Sequence, residues 1–317
     1  MKKFEKPRIV SSKCIEFEAT RWNGDMIKSD FVAKLKEYVD FYPVCPEVEI
    51  GLGIPRDPIR VIDDKGELVL YQPSTEKDLT EKMVNFTDGF LDNKSEVDGF
   101  ILKNKSPSCG IKAVRVYQGY GKGRPRNGYG FFGGEVLKRF PYLAVEDEGR
   151  LRNLKIREHF LTKLYTLASF RSVNESQNLK YLIDFHTNNK LLLSSYSSEN
   201  TKKMGRIIAE QDMMDRTELF SKYEDIFRDT IKKDVERKFN INVLMHSMGY
   251  FKKELSSHEK SFFLDSIEKY RNGIYPLLVL QNILKSWSIR FENNYLGNQT
   301  FLEPYPEELI EITTVYE

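Results

Sequence analysis

The sequence predicts an α/β domain over residues 1 to 150, a parallel sheet with helices on both faces, followed by an all-α domain over residues 151 to 317. Three observations lead there. Short β-branched runs alternate with amphipathic stretches in the first half, and glycine and proline turns separate them. Beyond "EDEGRLRN", which is polar and contains a glycine, apolar residues recur only at helical spacing.

The elements follow in order. "PRIVSSKC" predicts a first strand ending in Cys14, and "MIKSDFVAKLKEYVDF" has helical spacing. "YPVC" predicts a short second strand ending in Cys45. "DPIRVIDD" and "GELVLYQP" predict a hairpin about Asp64-Lys65-Gly66, because a Lys-Gly pair tolerates the left-handed conformations of a tight turn. "TEKDLTEKMVNFTDGFLDN" predicts a helix opened by a Ser/Thr cap. "VDGFILKN" and "AVRVYQ" predict strands, and "GGEVLKRFPYLAVEDEG" a helix and a last strand. In the second half, "LRNLKIREHFLTKLYTLASFRSV", "NLKYLIDFHTNNKLLLSSYS", "NTKKMGRIIAEQ", "RTELFSKYEDIFRDTIKKDV", "NINVLMHSMGYFKKELSSHEKSFFLDSIEKYRNG" and "YPLLVLQNILKSWSIRFENNYL" all carry apolar residues at helical intervals.

Bulk properties narrow the function. The 49 Lys and Arg against 47 Asp and Glu leave a net charge of only +2, so any nucleic-acid surface must be a local patch. No apolar run approaches the ~18–20 residues of a membrane span, and no secretory leader is evident. The expectation is a cytoplasmic protein without membrane contact. Three widely spaced cysteines are an odd count for a disulfide framework and point to metal binding or a reactive thiol.

Position sharpens that inference. In open α/β sheets, ligands gather beyond the carboxyl ends of the strands. Cys14, Cys45 and Cys109 each follow a predicted strand, so the topology brings three distant residues to one sheet edge. The competing reading, three incidental buried thiols, suits a single cysteine better than a matched set with none left over. Cys109 also lies in "KNKSPSCGI", a turn rich in hydroxyls and backbone N–H groups, which a core cysteine does not need.

"SSKC…RWNG", "PVCPEVEIGLGIPRDPIR" and "ILKNKSPSCG" resemble the three signatures of the thiouracil desulfidase (TudS-like) family, over roughly residues 7 to 150. "FHTNNKLLLSSYS", "HSMGYFKKELSSHEKSFFLDSIEKYRNGIYPLLVL" and "NQTFLEPYPEEL" are similar to the helical domain fused to desulfidases acting on transfer RNA (RudS-like), from about 155 to 312. The resemblance implies a [4Fe-4S] cluster held by Cys14, Cys45 and Cys109 with one iron open. It implies a non-redox reaction that converts 4-thiouridine in tRNA to uridine and sulfide. Glu47 in "CPE" would act as base, with Ser106 relaying a proton or binding substrate and Ser108 in a lesser role. Arg21, Asn23 and Arg56 match family positions near the pocket, where they would orient a phosphate or a pyrimidine carbonyl. The chain departs from the commoner pattern after the first cysteine, where "CIEFEAT" replaces a Leu-Gly-containing turn.

For RNA phosphates the expected contacts are Lys190, Lys202, Lys203, Arg206, Lys252 and Lys253, with Tyr250 or Phe251 available to stack on a base. Each lysine read alone is an ordinary solvated charge. Lys122, Arg124 and Arg126 in "YGKGRPRNGYG" read equally as phosphate contacts or as a plain exposed loop. "GYGFFG" fits a dinucleotide fingerprint in spacing but does not directly follow a strand and lacks the later acidic partner. The four histidines all lie in the second half and form no ligand pair; they read as packing residues, with His186 the exception suggested by resemblance. Two other readings stay open: a desulfidase of free thiouracil or a thionucleotide, and a non-catalytic RNA-binding protein whose three cysteines hold zinc.

Overall fold

The computed structural model describes residues 2–94, 96–120 and 125–310. It divides into two compact units, one comprising the described residues up to Ala168 with those from Glu308 on, the other Ser169–Glu307. The first is α/β and the second helical, as the hydrophobic periodicity predicts.

The first unit is built on a four-stranded, all-parallel sheet of β1 (Arg8–Ser12), β2 (Asp40–Val44), β6 (Gly99–Leu102) and β9 (Ala144–Asp147), in the order β2-β1-β6-β9. The register pairs Ile9 with Phe41 on one side and with Gly99 on the other. β6 is buried along its whole length, the pattern of a strand inside a parallel sheet. Strand β2 begins inside the segment expected to be helical: the helix, α1 (Asp30–Leu35), is shorter, and the β-favouring run from Val39 to Val44 takes over. Pro43 is tolerated because β2 lies at the sheet edge.

A second sheet was not expected. β3 (Arg60–Asp64), β4 (Glu67–Gln72), β5 (Lys77–Asp78), β7 (Val114–Gln118) and β8 (Arg126–Gly128) form it in the order β5-β4-β3-β7-β8. Strands β3 and β4 form the expected hairpin, Asp64 facing Glu67, with Lys65 and Gly66 both at positive φ. The hairpin and the antiparallel edge strands have no helical crossovers, so they cannot join an all-parallel sheet. Ile59, Val61, Leu70, Val114 and Val116 form their own core with Leu79 and Met83. Met83 comes from α3 (Thr80–Asp92), which lacks the expected side-chain cap. Its N-cap is Leu79, and the Thr80 hydroxyl instead accepts a hydrogen bond from the Leu70 N–H, 2.9 Å.

Two more short helices complete the frame: α2 (Pro46–Glu49), started by Cys45, and α4 (Phe131–Arg139). Arg139 anchors α4 to α3 through Asp88 and Asp92. The long helix α5 (Leu154–Ser176) carries the division between the units, and the second unit continues with α6 (Leu179–Tyr196), α7 (Ser198–Ala209), α8 (Arg216–Ile231), α9 (Arg237–Gly249), α10 (Ser257–Arg271), α11 (Leu277–Arg290) and α12 (Asn294–Gly297). No helix among the described residues is long and apolar enough to cross a membrane.

Candidate functional site

The three cysteines follow three adjacent strands. Cys14 lies two residues past the end of β1, Cys45 one residue past β2, and Cys109 in the loop after β6. Because β1 stands between β2 and β6, parallel pairing delivers all three to the same carboxyl edge. All three are free and buried. They also feel one another's charge. Burial first, and then the neighbouring Cys45, push the Cys14 thiol up to about 12. Burial likewise drives Cys109 well above its ordinary value, with Cys45 and Cys14 adding to the rise and the Ser12 hydroxyl opposing it by a hydrogen bond.

Each thiol has its own polar neighbour. The positive charge of Lys103 acts on Cys14, and Lys103 is itself held by Glu148 at 2.7 Å. Cys45 Sγ donates to the Thr20 carbonyl at 3.7 Å and lies 3.8 Å from Arg56 Nη2. Ser108 Oγ stands 3.9 Å from Cys109 Sγ.

Glu47 is buried against this group. Arg56 grips one of its oxygens through Nε at 2.8 Å and Nη2 at 2.7 Å. Ser108 Oγ donates to the other at 2.6 Å. Ser106 Oγ accepts from the backbone N–H groups of Ser108 and Cys109, at 3.2 and 3.1 Å, and lies 2.9 Å from Ser108 Oγ. Since the Ser108 hydroxyl is spent on Glu47, the remaining direction is Ser106 donating to Ser108. The result is a one-way chain of hydroxyls ending on the carboxylate. Ser108, expected in the lesser role, is the serine that touches Glu47, and Ser106 stands one step behind.

Arg56 is not directed at solvent. Its side chain is only 4% exposed, and besides Glu47 it donates to the carbonyls of Thr20 at 3.0 Å and Gly53 at 3.1 Å. In this structure its donors turn to the Glu47 carboxylate and to the Thr20 and Gly53 carbonyls. Arg21 and Asn23 lie in an exposed turn joined to that loop by the Arg56 N–H bond to the Trp22 carbonyl, 2.8 Å. Both side chains turn to Asp25: Arg21 at 3.6 Å, and Asn23 through a hydrogen bond. In the departing stretch after Cys14, Glu16 adopts a left-handed φ of 66°. There the chain makes without glycine the bend that a glycine turn provides, braced by the Ser29 N–H donating to the Glu16 carboxylate at 2.6 Å.

Sequence reading missed the support around the Cys109 loop. Its signal was the discounted "GYGFFG". At the start of α4, the N–H groups of Gly130, Phe131 and Gly133 donate to the carbonyls of Gly110, Pro107 and Ser108, at 2.7, 3.1 and 3.0 Å. A Cβ on Gly130 would collide with the Ser108 carbonyl, and one on Gly133 with that of Cys109. The glycines cradle the cysteine loop, not a pyrophosphate. Ser12, Thr20, Lys103 and Glu148 were missed too, because a lone hydroxyl or charge in a strand end has no motif.

The expected RNA contacts divide. Lys190, Lys202 and Arg206 line one cavity of about 790 Å³ in the helical unit, with His186, Tyr295 and Gly205. Lys203 points elsewhere and pairs with Glu199 at 2.7 Å. Lys252 and Lys253 are exposed in the turn after α9 and do not line the cavity. Phe251 is a correction: at 1% exposure it packs on Trp287 and Phe291 and offers no stacking surface. Arg126 pairs with Asp63 at 2.9 Å, and Lys122 and Arg124 lie outside the described residues.

Three soft donors at one buried edge suit a cluster that takes each thiolate on a different iron. The Thr20 hydroxyl is buried with no hydrogen-bond partner among the described residues, on the residue whose carbonyl accepts from Cys45 Sγ, and such a spare buried donor suits a neighbouring inorganic sulfide. Among the described residues, no three His, Cys, Asp or Glu side chains close on one point as a ready-made single-ion site would.

Comparison with known proteins matches the two parts of the chain separately. Residues 9–148 match the family model described as 2-thiouracil desulfurase, and residues 190–306 match a family described as a protein of unknown function, DUF1722. The first match supports a desulfidase. Among particular relatives, the uncharacterized protein YbbK of Bacillus subtilis is 28% identical over 148 residues, 44% of this chain and 95% of that protein. The uncharacterized protein YbgA of Escherichia coli is 25% identical over 126 residues, 39% of this chain and 75% of that protein. The solved [4Fe-4S]-dependent thiouracil desulfidase TudS aligns with a TM-score of 0.38 and 26% identity, over 48% of this chain and 98% of that one.

Proposed function

We propose that this protein is a [4Fe-4S]-dependent, non-redox desulfidase whose substrate is 4-thiouridine in tRNA. The observation that carries the reading is the convergence of Cys14, Cys45 and Cys109 at one sheet edge, beside a buried carboxylate served by a hydroxyl chain. The cysteines would hold the cluster. Once bound, a cluster with three cysteine ligands leaves one iron without a thiolate, a Lewis acid with affinity for soft sulfur.

The protein's own residues supply the rest. Replacement of sulfur by oxygen requires water to bond to the thiocarbonyl carbon, the carbon–sulfur bond to break, and sulfur to leave as hydrogen sulfide. No electrons are gained or lost. Glu47 takes the proton from the attacking water, since it is a buried carboxylate that accepts a hydrogen bond from Ser108, the residue next to Cys109. Arg56 fixes that carboxylate by a two-point grip, which sets the angle of its free lone pairs. Ser108 and Ser106 carry a proton between Glu47 and the partly open end of the loop. Arg21 and Asn23 would reach the nucleotide after exchanging their contacts with Asp25.

The tRNA assignment is supported by the helical unit, where Lys190, Lys202 and Arg206 line one cavity whose lining holds no carboxylate. Lys252 and Lys253, exposed in the turn after α9, and Lys203, once released from Glu199, would supply further phosphate contacts outside that cavity. The test uses protein purified without oxygen. Thiolated tRNA should lose its near-ultraviolet thiocarbonyl absorbance, and the Lys252→Glu, Lys253→Glu variant should slow that loss while sparing 4-thio-UMP. If 4-thio-UMP is converted and tRNA is not, the small-substrate reading replaces this one.

A further inference from the structure

The basic cavity of the helical unit differs from a solvated charged surface in three ways. Several cations elsewhere in this unit are neutralised at close range, such as Lys222 by Glu218 at 2.6 Å and Lys285 by Glu303 and Glu307 at 3.1 and 2.6 Å. Lys190, Lys202 and Arg206 have no such partner among the described residues, and no carboxylate lines the cavity with them. Lys202 and Arg206 are four apart on α7, so both reach the same mouth as Lys190 on α6. Three unpaired cations around one opening favour an anion.

The interior is shaped for more than an anion. Its volume of about 790 Å³ falls in the range of small-molecule clefts. Tyr295 lines one wall and is backed by Tyr250, their rings 5.4 Å apart, giving a broad aromatic surface. At the floor, His186 is pinned by a 3.1 Å contact between Nδ1 and the Tyr223 hydroxyl. Opposite it stands Gly205, in the interior of α7. A glycine there weakens the helix relative to alanine. A Cβ at Gly205 would come within 3.3 Å of His186 Nε2, so the missing side chain lets the imidazole lie close against α7, and a bulkier residue would push into the cavity that both line.

We propose that this cavity is a nucleotide site: Lys190, Lys202 and Arg206 hold a phosphate, and the wall of Tyr295 receives the base. The ligand's chemistry is a phosphate attached to a planar base, whether as a free nucleoside monophosphate or as one residue of an RNA chain. The site is distinct from the cysteine edge and does not require desulfidase activity; only its RNA source rests on the tRNA reading.

Equilibrium binding to the full-length protein, without turnover, tests it with UMP, uridine, inorganic phosphate and unthiolated tRNA as probes. UMP should saturate, with uridine and phosphate each at least tenfold weaker. A Lys202→Ala, Arg206→Ala variant should weaken UMP at least tenfold, and Lys222→Ala should change nothing. Gly205→Val should block UMP, with the far-ultraviolet circular dichroism retained. Loss of tRNA affinity in the double variant identifies an RNA residue as the ligand, and unchanged tRNA affinity identifies a free nucleotide. The proposal is overturned if UMP fails to bind, if its binding survives both variants, or if phosphate competes as well as UMP does.

Discussion

At the scale of single residues, the site is governed by what surrounds Glu47. Its carboxylate is balanced by Arg56 and hydrogen-bonded by Ser108, so charge, direction and proton path depend on one side chain. Glu47→Gln keeps the shape but removes the base, and catalysis should fall ~10²- to 10⁴-fold, the usual worth of a general base. Iron content should be retained, which separates loss of chemistry from loss of the cluster. Ser108→Ala removes a hydrogen bond to a charged group, worth ~1.5–3 kcal/mol, so turnover should drop by about 10- to 150-fold. His186 offers a residue-scale test of stability. Burial, and then the charge of Lys190, lower its value from the ordinary range to about 4. The unfolded chain therefore takes up a proton near pH 6.5 while the folded one does not. That contribution is complete above pH 6.5 and is lost as the pH falls toward 4, on the order of 2 kcal/mol by pH 5. Urea unfolding at pH 7 and pH 5 should show this slope, reduced in His186→Asn. An equal slope in both would mean that His186 titrates normally.

At the scale of elements, the Cys109 loop is held by the first turn of α4. Three N–H groups bind its carbonyls, and two glycines permit the approach. Gly133→Ala forces a methyl against the Cys109 carbonyl and should cost ~1–3 kcal/mol in overpacking, with iron content falling as the loop is displaced. Gly89→Ala, in α3 with open space around it, should instead stabilise by ~0.5–1 kcal/mol. The contrast shows what could be read beforehand. Cys14, Cys45 and Cys109 were legible because topology alone sends residues after parallel strands to one edge. The 64–67 hairpin was legible because a Lys-Gly turn has few alternatives. The role of Gly130 and Gly133 was not, since their spacing imitates another motif and only the packing of α4 on the loop reveals their purpose. The inversion of Ser106 and Ser108 had the same origin: both fit the turn, and the deciding hydrogen bond spans 61 residues of sequence. The second sheet escaped notice because strand runs do not announce which sheet they join.

At the scale of the whole molecule, a buried thiol edge and a helical unit with a locally basic cavity are combined in one chain with almost no net charge. RNA affinity must then come from a few local contacts. Each neutralised phosphate contributes ~0.7–0.9 to the slope of log affinity against log salt. Six contacts would give a slope of about −4 to −5. A slope near zero would remove the RNA-binding role of the helical unit. The central claim concerns the cofactor, and it is tested by assaying iron and acid-labile sulfide in protein purified without oxygen, alongside Cys14→Ser, Cys45→Ser and Cys109→Ser. The account predicts about four irons and four sulfides per chain, falling sharply in every one of the three variants. About one zinc per chain with no sulfide, or iron that persists after the thiols are removed, would contradict it.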